Sequence, residues 1–219
     1  MFSREGALFT SRLFGIDIIV SPSFLFLMAF FVFMSGSLVS GLVMAASLAL
    51  IVIVHELGHA LTALRFGRSV PAINLNGLGG AAYVEHSSDR HGENILIRLA
   101  GPAVNLMTAA ALFLVTKVID VGALPSLMGL IIDQVFLYSL VLGIFNLIPA
   151  EPLDGGRILS GVLQGYTSVN HPQRTMALVS LIIWGLMFCL GLSMSQFLLV
   201  LIAGFMGFEN YQRYRSYCS

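Results

Sequence analysis

Three ionisable side chains lie within five consecutive residues of a strongly apolar segment, in the sequence His55-Glu56-Leu57-Gly58-His59. On an α-helix, His55 and His59 are separated by about 40° around the axis and about 6 Å along it, so both imidazoles can face one metal ion. The Glu56 carboxylate is rotated by roughly 100° from His55. The carboxylate therefore does not face the metal together with the two imidazoles, but it can reach a water molecule at the metal and act on that water as a general base.

The surroundings of this motif favour a metal site over a chance match. The motif falls in a predicted membrane span, about residues 42–64, where no solvated helix face exists. Ionisable groups inside a span are costly and by default mark a functional site. Two imidazoles and an open position for water favour zinc, although imidazole ligands also suit iron and nickel. We therefore predict one zinc ion per chain.

A catalytic zinc site usually has three protein ligands, so a third is expected beyond the two histidines. His86, His91 and His171 lie in polar loops, where we expect solvated side chains. Asp133 lies within a predicted span, about half a bilayer from its cytoplasmic end. We expect Asp133 to pair with a polar neighbour or to line a cavity.

Asp154 is the favoured third ligand. It follows the fourth predicted span in the segment Asn-Leu-Ile-Pro-Ala-Glu-Pro-Leu-Asp-Gly-Gly, residues 146–156. The prolines and glycines of this segment disfavour a continued helix. Irregular backbone at membrane depth persists only where it is buried in protein or lines a water-filled cavity, so we expect the segment to bend Asp154 back towards the two histidines. Glu151 lies between the prolines and ranks well below Asp154.

These motifs resemble the site-2 protease family of intramembrane zinc metalloproteases. The resemblance is carried by the His-Glu-Leu-Gly-His motif in one span and by the 146–156 segment at the end of another. The sequence Gly-Pro-Ala-Val-Asn at 101–105 also matches a G-P-x-x-N element of the family. The resemblance covers about residues 12–160, and the chain is similar to the compact branch with six spans and no PDZ or CBS modules.

The resemblance implies a role for each motif. The implied zinc ligands are His55, His59 and Asp154. Glu56 would activate the water that attacks a peptide carbonyl inside the membrane, and Asn146 and Asn105 would lie near the site and orient the substrate or the loop. The family cuts single-span membrane-protein substrates, which are the implied partners.

The composition agrees with a protein embedded in the lipid bilayer. Hydrophobic residues make up 57% of the 219 residues and charged residues only 10%, against about 25% charged in soluble domains. This excludes a soluble enzyme, a disordered chain, a nucleic-acid binder and a disulfide scaffold. We predict an all-α polytopic fold with a single membrane domain, 1–219, comprising the metalloprotease core 12–160 and, in 161–219, two more spans and a cytoplasmic tail. The six predicted spans lie at about 23–40, 42–64, 95–116, 124–148, 176–192 and 194–208.

The basic residues predict the orientation of these spans. With six spans, both termini and the second and fourth loops share one side of the membrane, and of the eleven Lys and Arg residues only Lys117 lies opposite. Cytoplasmic loops carry the excess of Lys and Arg. We therefore predict cytoplasmic termini, and the strong bias suits a bacterial or archaeal plasma membrane.

Two short segments between the helices predict β-structure. Residues 15–20 read as a short strand ended by Ser21-Pro22, and residues 69–84 carry no charge. In 69–84, alternating apolar residues precede the turn or bulge glycines Gly77, Gly79 and Gly80. This pattern predicts a small membrane-associated β-hairpin whose edge pairs with an unwound substrate; the alternative is a loop that only packs on the helices.

A metal-binding transporter or a non-catalytic scaffold is the competing interpretation. A scaffold has no need of a carboxylate beside its ligands, so Glu56 argues against it. A transporter needs polar groups that continue to the outer face, where the sequence offers few. An intramembrane zinc endopeptidase is the favoured function.

Overall fold

A computed structural model describes residues 8–13, 15–77, 79–85, 90–119 and 124–217. The chain divides into two compact units, 1–86 with 100–144 and 87–99 with 145–219. In chain order the elements are β1 (Phe9–Leu13), β2 (Ile16–Val20), α1 (Pro22–Met34), α2 (Leu38–Arg65), β3 (Ala72–Asn76), β4 (Gly79–Tyr83), α3 (His91–Val118), α4 (Ser126–Asn146), α5 (Asp154–Tyr166), α6 (Pro172–Ser193) and α7 (Phe197–Ser216).

The described residues contain four helices that are long and apolar enough to cross a membrane: α2, α3, α4 and α6. Their bounds agree with the predicted spans to within a few residues. A multi-pass membrane fold is therefore confirmed, but the count of six spans is not. The 13-residue α1 is a shorter apolar helix, and the last turns of α7 are polar, from Glu209 to Arg215.

The predicted first span, 23–40, is interrupted by a turn. Helix α1 ends at Met34, and the Ser35 hydroxyl donates to the carbonyl of Val32 while lying 2.8 Å from that of Ser37. Gly36 follows with a φ of 69°, a left-handed conformation that glycine adopts readily. A serine hydroxyl that bonds locally to the backbone competes with the helix, so α1 and α2 are separated here.

Within the described residues, the β-structure is one four-stranded sheet of order β1-β2-β3-β4. The predicted strand at 15–20 corresponds to β2, and the predicted hairpin corresponds to β3 and β4, so both are confirmed. Strand β1 was not predicted, nor was the parallel pairing of β2 with β3. In this unit β4 lies at the sheet edge and packs against α2, while β3 packs against α1. The sheet thereby lies beside the helix that carries the histidine motif.

In the second unit, the segment after α4 turns sharply and leads into the unpredicted helix α5. Side chains at Gly155 and Gly156 would collide with the backbone of Leu147 and Ala150, respectively. Both positions therefore require glycine for the first turn of α5 to pack on the loop 147–153. Helices α6 and α7 pack against each other, and their core contains Ala150 of this loop.

Candidate metal centre

His55 and His59 face each other on consecutive turns of α2. Their Nε2 atoms are 3.1 Å apart, and the rings are nearly perpendicular, with centroids 4.7 Å apart. The two side chains are only 4% and 2% exposed. The i, i+4 spacing in the sequence is therefore realised as two imidazole nitrogens directed at the same point.

Glycine leaves room around this pair. A Cβ at Gly101 of α3 would lie 2.8 Å from the His55 Nε2 and would also collide with the His59 Nε2. A Cβ at Gly58 would lie 2.8 Å from the Ala100 carbonyl oxygen. The two glycines thus allow α2 and α3 to approach closely, and Gly101 leaves free the space in front of both nitrogens.

The donor atoms of this unit fit a zinc ion. Two nitrogens bound to zinc at about 2.0–2.1 Å in a tetrahedral arrangement would be about 3.3 Å apart. The separation of the Nε2 atoms of His55 and His59, 3.1 Å, is close to this value. Neutral imidazoles bind metals through such nitrogens, and a side chain at Gly101 would fill the space that the ion needs.

Asn105, one turn beyond Gly101 on α3, contacts the back of the His55 ring. Its amide Nδ2 lies 3.2 Å from the His55 Nδ1. The amide oxygen Oδ1 is buried and has no hydrogen-bond partner among the described residues. The predicted proximity of Asn105 to the histidine motif is therefore present in the structure.

The Glu56 carboxylate contacts the edge strand β4. Its Oε2 accepts a hydrogen bond of 2.7 Å from the Ala82 N–H. A Cβ at Gly80 would lie 2.5 Å from the Glu56 Cγ and 2.7 Å from its Oε1. Gly80 therefore lets the strand lie directly against the carboxylate, which is itself buried.

The other two glycines of the hairpin, Gly77 and Gly79, lie at its turn. The Gly77 N–H donates to the Ser23 hydroxyl at 3.0 Å. Gly79 has a φ of 119°, a conformation that side-chain-bearing residues rarely adopt. A Cβ at Gly77 would lie 3.1 Å from the Ser23 Cβ, so close packing at Gly77 and backbone conformation at Gly79 favour glycine where the chain reverses between β3 and β4.

The predicted ligand Asp154 is the first residue of α5 in the second unit, where it is 6% exposed. Its Oδ1 lies 3.9 Å from a guanidinium nitrogen of Arg98. Asn146 is the last residue of α4 and is half-buried. The carboxylate of Glu151, the weaker candidate, pairs instead with Arg213.

The sequence analysis did not predict the roles of three groups near these side chains: Arg98, Gly101 and the backbone N–H of Ala82. Sequence reasoning treated Arg98 only as a charge on the cytoplasmic side, although an arginine inside the apolar segment before Gly-Pro is itself a signal of a buried partner. The match to the G-P-x-x-N element did not assign a role to Gly101 itself. The Ala82 contact uses only a backbone N–H, so no residue type could have indicated it.

A membrane helix that presents two facing histidines and a neighbouring glutamate is typical of a metal-dependent hydrolase. The profile of peptidase family M50 matches residues 43–122 and 126–191. The chain therefore belongs to peptidase family M50.

Individual relatives agree with this assignment. A zinc metalloprotease of Methanocaldococcus jannaschii is 32% identical over 166 residues, which cover 75% of this chain and 47% of the relative. A protein of Synechocystis is 36% identical over 164 residues, 69% of this chain and 42% of its own. The chain thus spans about half the length of the curated relatives it matches.

The solved structure of a site-2 protease from Methanocaldococcus jannaschii has the same fold. It matches with a TM-score of 0.69 and 27% identity, covering 94% of this chain and 95% of that one. The resemblance inferred from the motifs is confirmed. The facing imidazoles and the family together indicate zinc as the cofactor.

Proposed function

We propose that the chain is an intramembrane zinc metalloprotease that hydrolyses peptide bonds in or near transmembrane segments of membrane proteins. The observation that carries this proposal is the facing pair of Nε2 atoms, 3.1 Å apart in a span, with the Glu56 carboxylate on the next residue. Membership of a peptidase family supports proteolysis over transport or a purely structural role.

Asp154 is proposed as the third zinc ligand beside His55 and His59. The proposal is supported by its burial, by its place directly after the irregular loop that follows α4, and by the motif that the chain shares with site-2 proteases. Arg98, at 3.9 Å, would hold one carboxylate oxygen in place by charge attraction. The other oxygen of Asp154 would then be the ligand atom.

Glu56 is proposed as the general base. When bound, zinc would act as a Lewis acid, which polarises the scissile carbonyl and lowers the pKa of water. The Glu56 carboxylate accepts the proton of the attacking water and passes it to the departing amine nitrogen. Its hydrogen bond from Ala82 fixes Oε2, so Oε1 is the oxygen that takes up the proton.

Asn105 is proposed to select the metal-binding tautomer of His55. If its Nδ2 donates to Nδ1, the proton of the neutral ring lies on Nε2, which then cannot bind a metal. Rotation of the amide by 180° presents the otherwise unpartnered Oδ1, which accepts from Nδ1–H and leaves the Nε2 lone pair for zinc. We infer that the zinc-bound protein has this rotated amide.

The edge strand β4 is proposed to bind the substrate as an added strand. Ala82 donates its N–H away from β3, to Glu56, and backbone groups alternate in direction along an antiparallel pair. The backbone groups of Gly80 therefore face the same way as those of Ala82. An extended substrate paired with the backbone of Gly80, while the Ala82 N–H stays bonded to Glu56, would pass its peptide bond close to the Glu56 carboxylate. The turn glycines Gly77 and Gly79 would hold this edge in place.

The proposed setting is a bacterial or archaeal plasma membrane. We propose that α1 and α7 complete six spans, with both termini in the cytoplasm, because this arrangement leaves only Lys117 of the eleven basic residues outside. We further propose that residues 1–219 act as one membrane domain and that the substrates are single-span membrane proteins. Asn146 would orient the substrate or the loop that follows it.

The test is Glu56→Gln in the full chain, co-expressed with a tagged single-span substrate. We expect zinc to stay bound, because both imidazoles are intact, and cleavage to be lost, because an amide cannot accept the proton. Glu85→Gln, an exposed carboxylate bonded to Ser69, is the matched control and should cleave normally. Cleavage by the Glu56→Gln protein would refute the mechanism.

A further inference from the structure

Helices α6 and α7 together hold one residue of the loop that precedes α5. The Glu151 N–H donates to the Ser180 hydroxyl oxygen at 2.9 Å. The Glu151 carbonyl oxygen accepts from the Trp184 indole and from the Asn210 amide, each at 2.8 Å. Its carboxylate pairs with Arg213 at 2.8 Å. The amide, carbonyl and carboxylate of Glu151 all have partners on α6 or α7.

Three of these partners are buried, and further hydrogen bonds orient two of them, Ser180 and Asn210, towards Glu151. Ser180, Trp184 and Asn210 are at most 1% exposed. The Ser180 hydroxyl donates to the carbonyl of Met176, which leaves its oxygen to accept from the loop. Asn210 also donates to the Met206 carbonyl, and its Oδ1 has no hydrogen-bond partner among the described residues. The Asn210 side chain therefore makes two hydrogen bonds as a donor, while its acceptor oxygen makes none in the part of the chain that the structure describes.

The loop depends on α6 and α7 for these contacts. Ala150 is fully buried in a core with Trp184, and Ile148 and Leu153 pack against that core. Backbone groups buried at membrane depth have no water to bond with. A bond from the Leu153 N–H to the Ala150 carbonyl closes the turn itself, but the backbone of Glu151 is satisfied from outside the loop.

We propose that Ser180, Trp184, Asn210 and Arg213 form a clasp, the Glu151 clasp, which positions the loop 147–153. These four are positioning residues that act through Glu151, and the catalytic steps proposed above do not use them. The loop ends directly before the carboxylate at the start of α5. The consequence for zinc binding rests on the proposed function, in which that carboxylate is the third ligand.

The experiment uses the chain 1–219, loaded with zinc, in detergent micelles. The variant is Arg213→Met, because its side chain is half-exposed and its loss leaves the α6–α7 core intact. Arg215→Met, an exposed arginine two residues further on and outside the clasp, is the matched control. Trp184 is the only tryptophan of the chain, so its fluorescence reports directly on the clasp. Zinc release to a chelator is measured in parallel.

We expect Arg213→Met to move the Trp184 emission to longer wavelength and to release zinc about tenfold faster, in line with losses seen when outer groups around metal ligands are removed. Arg213→Lys keeps the charge and should restore most of both signals. Arg215→Met should match the parent protein. If Arg213→Met matched the parent in emission and in zinc release, the Glu151 clasp would be refuted.

A second variant and one further measurement separate this proposal from the zinc assignment. Trp184→Phe keeps an aromatic side chain, although a smaller one, but removes the indole N–H donor, and we expect faster hydrogen exchange in the loop 147–153; unchanged exchange would contradict the clasp. If Asp154→Ala retained zinc, the ligand assignment would fail, whereas the clasp would still be judged by the Trp184 emission of the Arg213→Met protein.

Discussion

Replacing Gly101 with alanine tests whether the space in front of the two imidazoles is where zinc binds. The added Cβ would lie 2.5 Å from the His59 Cε1 and 2.8 Å from the His55 Nε2. These separations are about 0.7–1 Å shorter than the lower end of the usual contact range of 3.5–4.0 Å. The methyl group and a zinc ion therefore compete for the same space.

The magnitude follows from the cost of overpacking, about 1–3 kcal/mol. In the metal-free protein the imidazoles of His55 and His59 can turn away from the methyl group. Zinc binding requires them to return, so the cost appears in the zinc affinity, which should fall about 5- to 150-fold. Alanine is favoured over glycine inside a helix by about 0.8–1.0 kcal/mol, so the metal-free variant should unfold within a few degrees of the parent.

The assay is competition with a chelator of known zinc affinity, combined with thermal unfolding with and without zinc. Gly185→Ala is the matched control, because Gly185 also lies inside a helix but has no atom within 4 Å of the position of an added Cβ. It should bind zinc as the parent does. If Gly101→Ala bound zinc as tightly as Gly185→Ala, the proposed position of the ion would be wrong.

Three further substitutions test single contacts of the site. Asn105→Leu should weaken zinc binding about 10- to 100-fold because the imidazole loses its acceptor, whereas Asn105→Asp should retain it; equal affinities in chelator competition would contradict the tautomer argument. Ala82→Pro removes an outward N–H of an edge strand, a position where proline is tolerated. This N–H holds the Glu56 Oε2, so kcat should fall about 2- to 10-fold, as expected for one lost hydrogen bond, and an unchanged kcat would argue against this role of Ala82. Asp154→Ala should lose zinc on dialysis while Asp133→Ala keeps it, and equal metal content would point to another third ligand.

The helices of this fold follow from local sequence. Runs of apolar residues long enough to cross a membrane predicted α2, α3, α4 and α6 to within a few residues. The spacing of His55 and His59 predicted their common direction, because helix geometry alone determines it. Features set within a single helix can therefore be read from the sequence.

The β-structure could be predicted only in part. Strand β2 and the β3–β4 hairpin have local signals, but the pairing of Ile18 with Ile73 joins residues far apart in the chain. No local pattern specifies such a partner, because register depends on which strands the intervening helices bring together. The end of α1 was missed for a different reason: the Ser35 hydroxyl bonds to the backbone and interrupts an otherwise apolar run.

The contacts of Glu151 illustrate why interactions that hold a loop in place could not be predicted from the sequence. Read as a candidate ligand, it ranked below Asp154 because it lies between two prolines. Its partners Ser180, Trp184 and Arg213 lie 29, 33 and 62 residues further along the chain. Two of those contacts are made by the Glu151 backbone, which every residue type possesses. The type of residue at this position therefore predicts only the ion pair, and only once the fold is known.

The sequence likewise does not show which glycines are required at the metal site. Gly58, Gly80, Gly101 and Gly185 are alike in the sequence, each a glycine in or beside an apolar segment. In the structure the first three lie against a backbone carbonyl, the Glu56 carboxylate and the two imidazoles, respectively, whereas Gly185 has open space around it. A methyl group at any of the first three would displace a helix, a strand or a ligand. The absence of a side chain at these positions is therefore as much a part of the site as the ionisable groups that identify it.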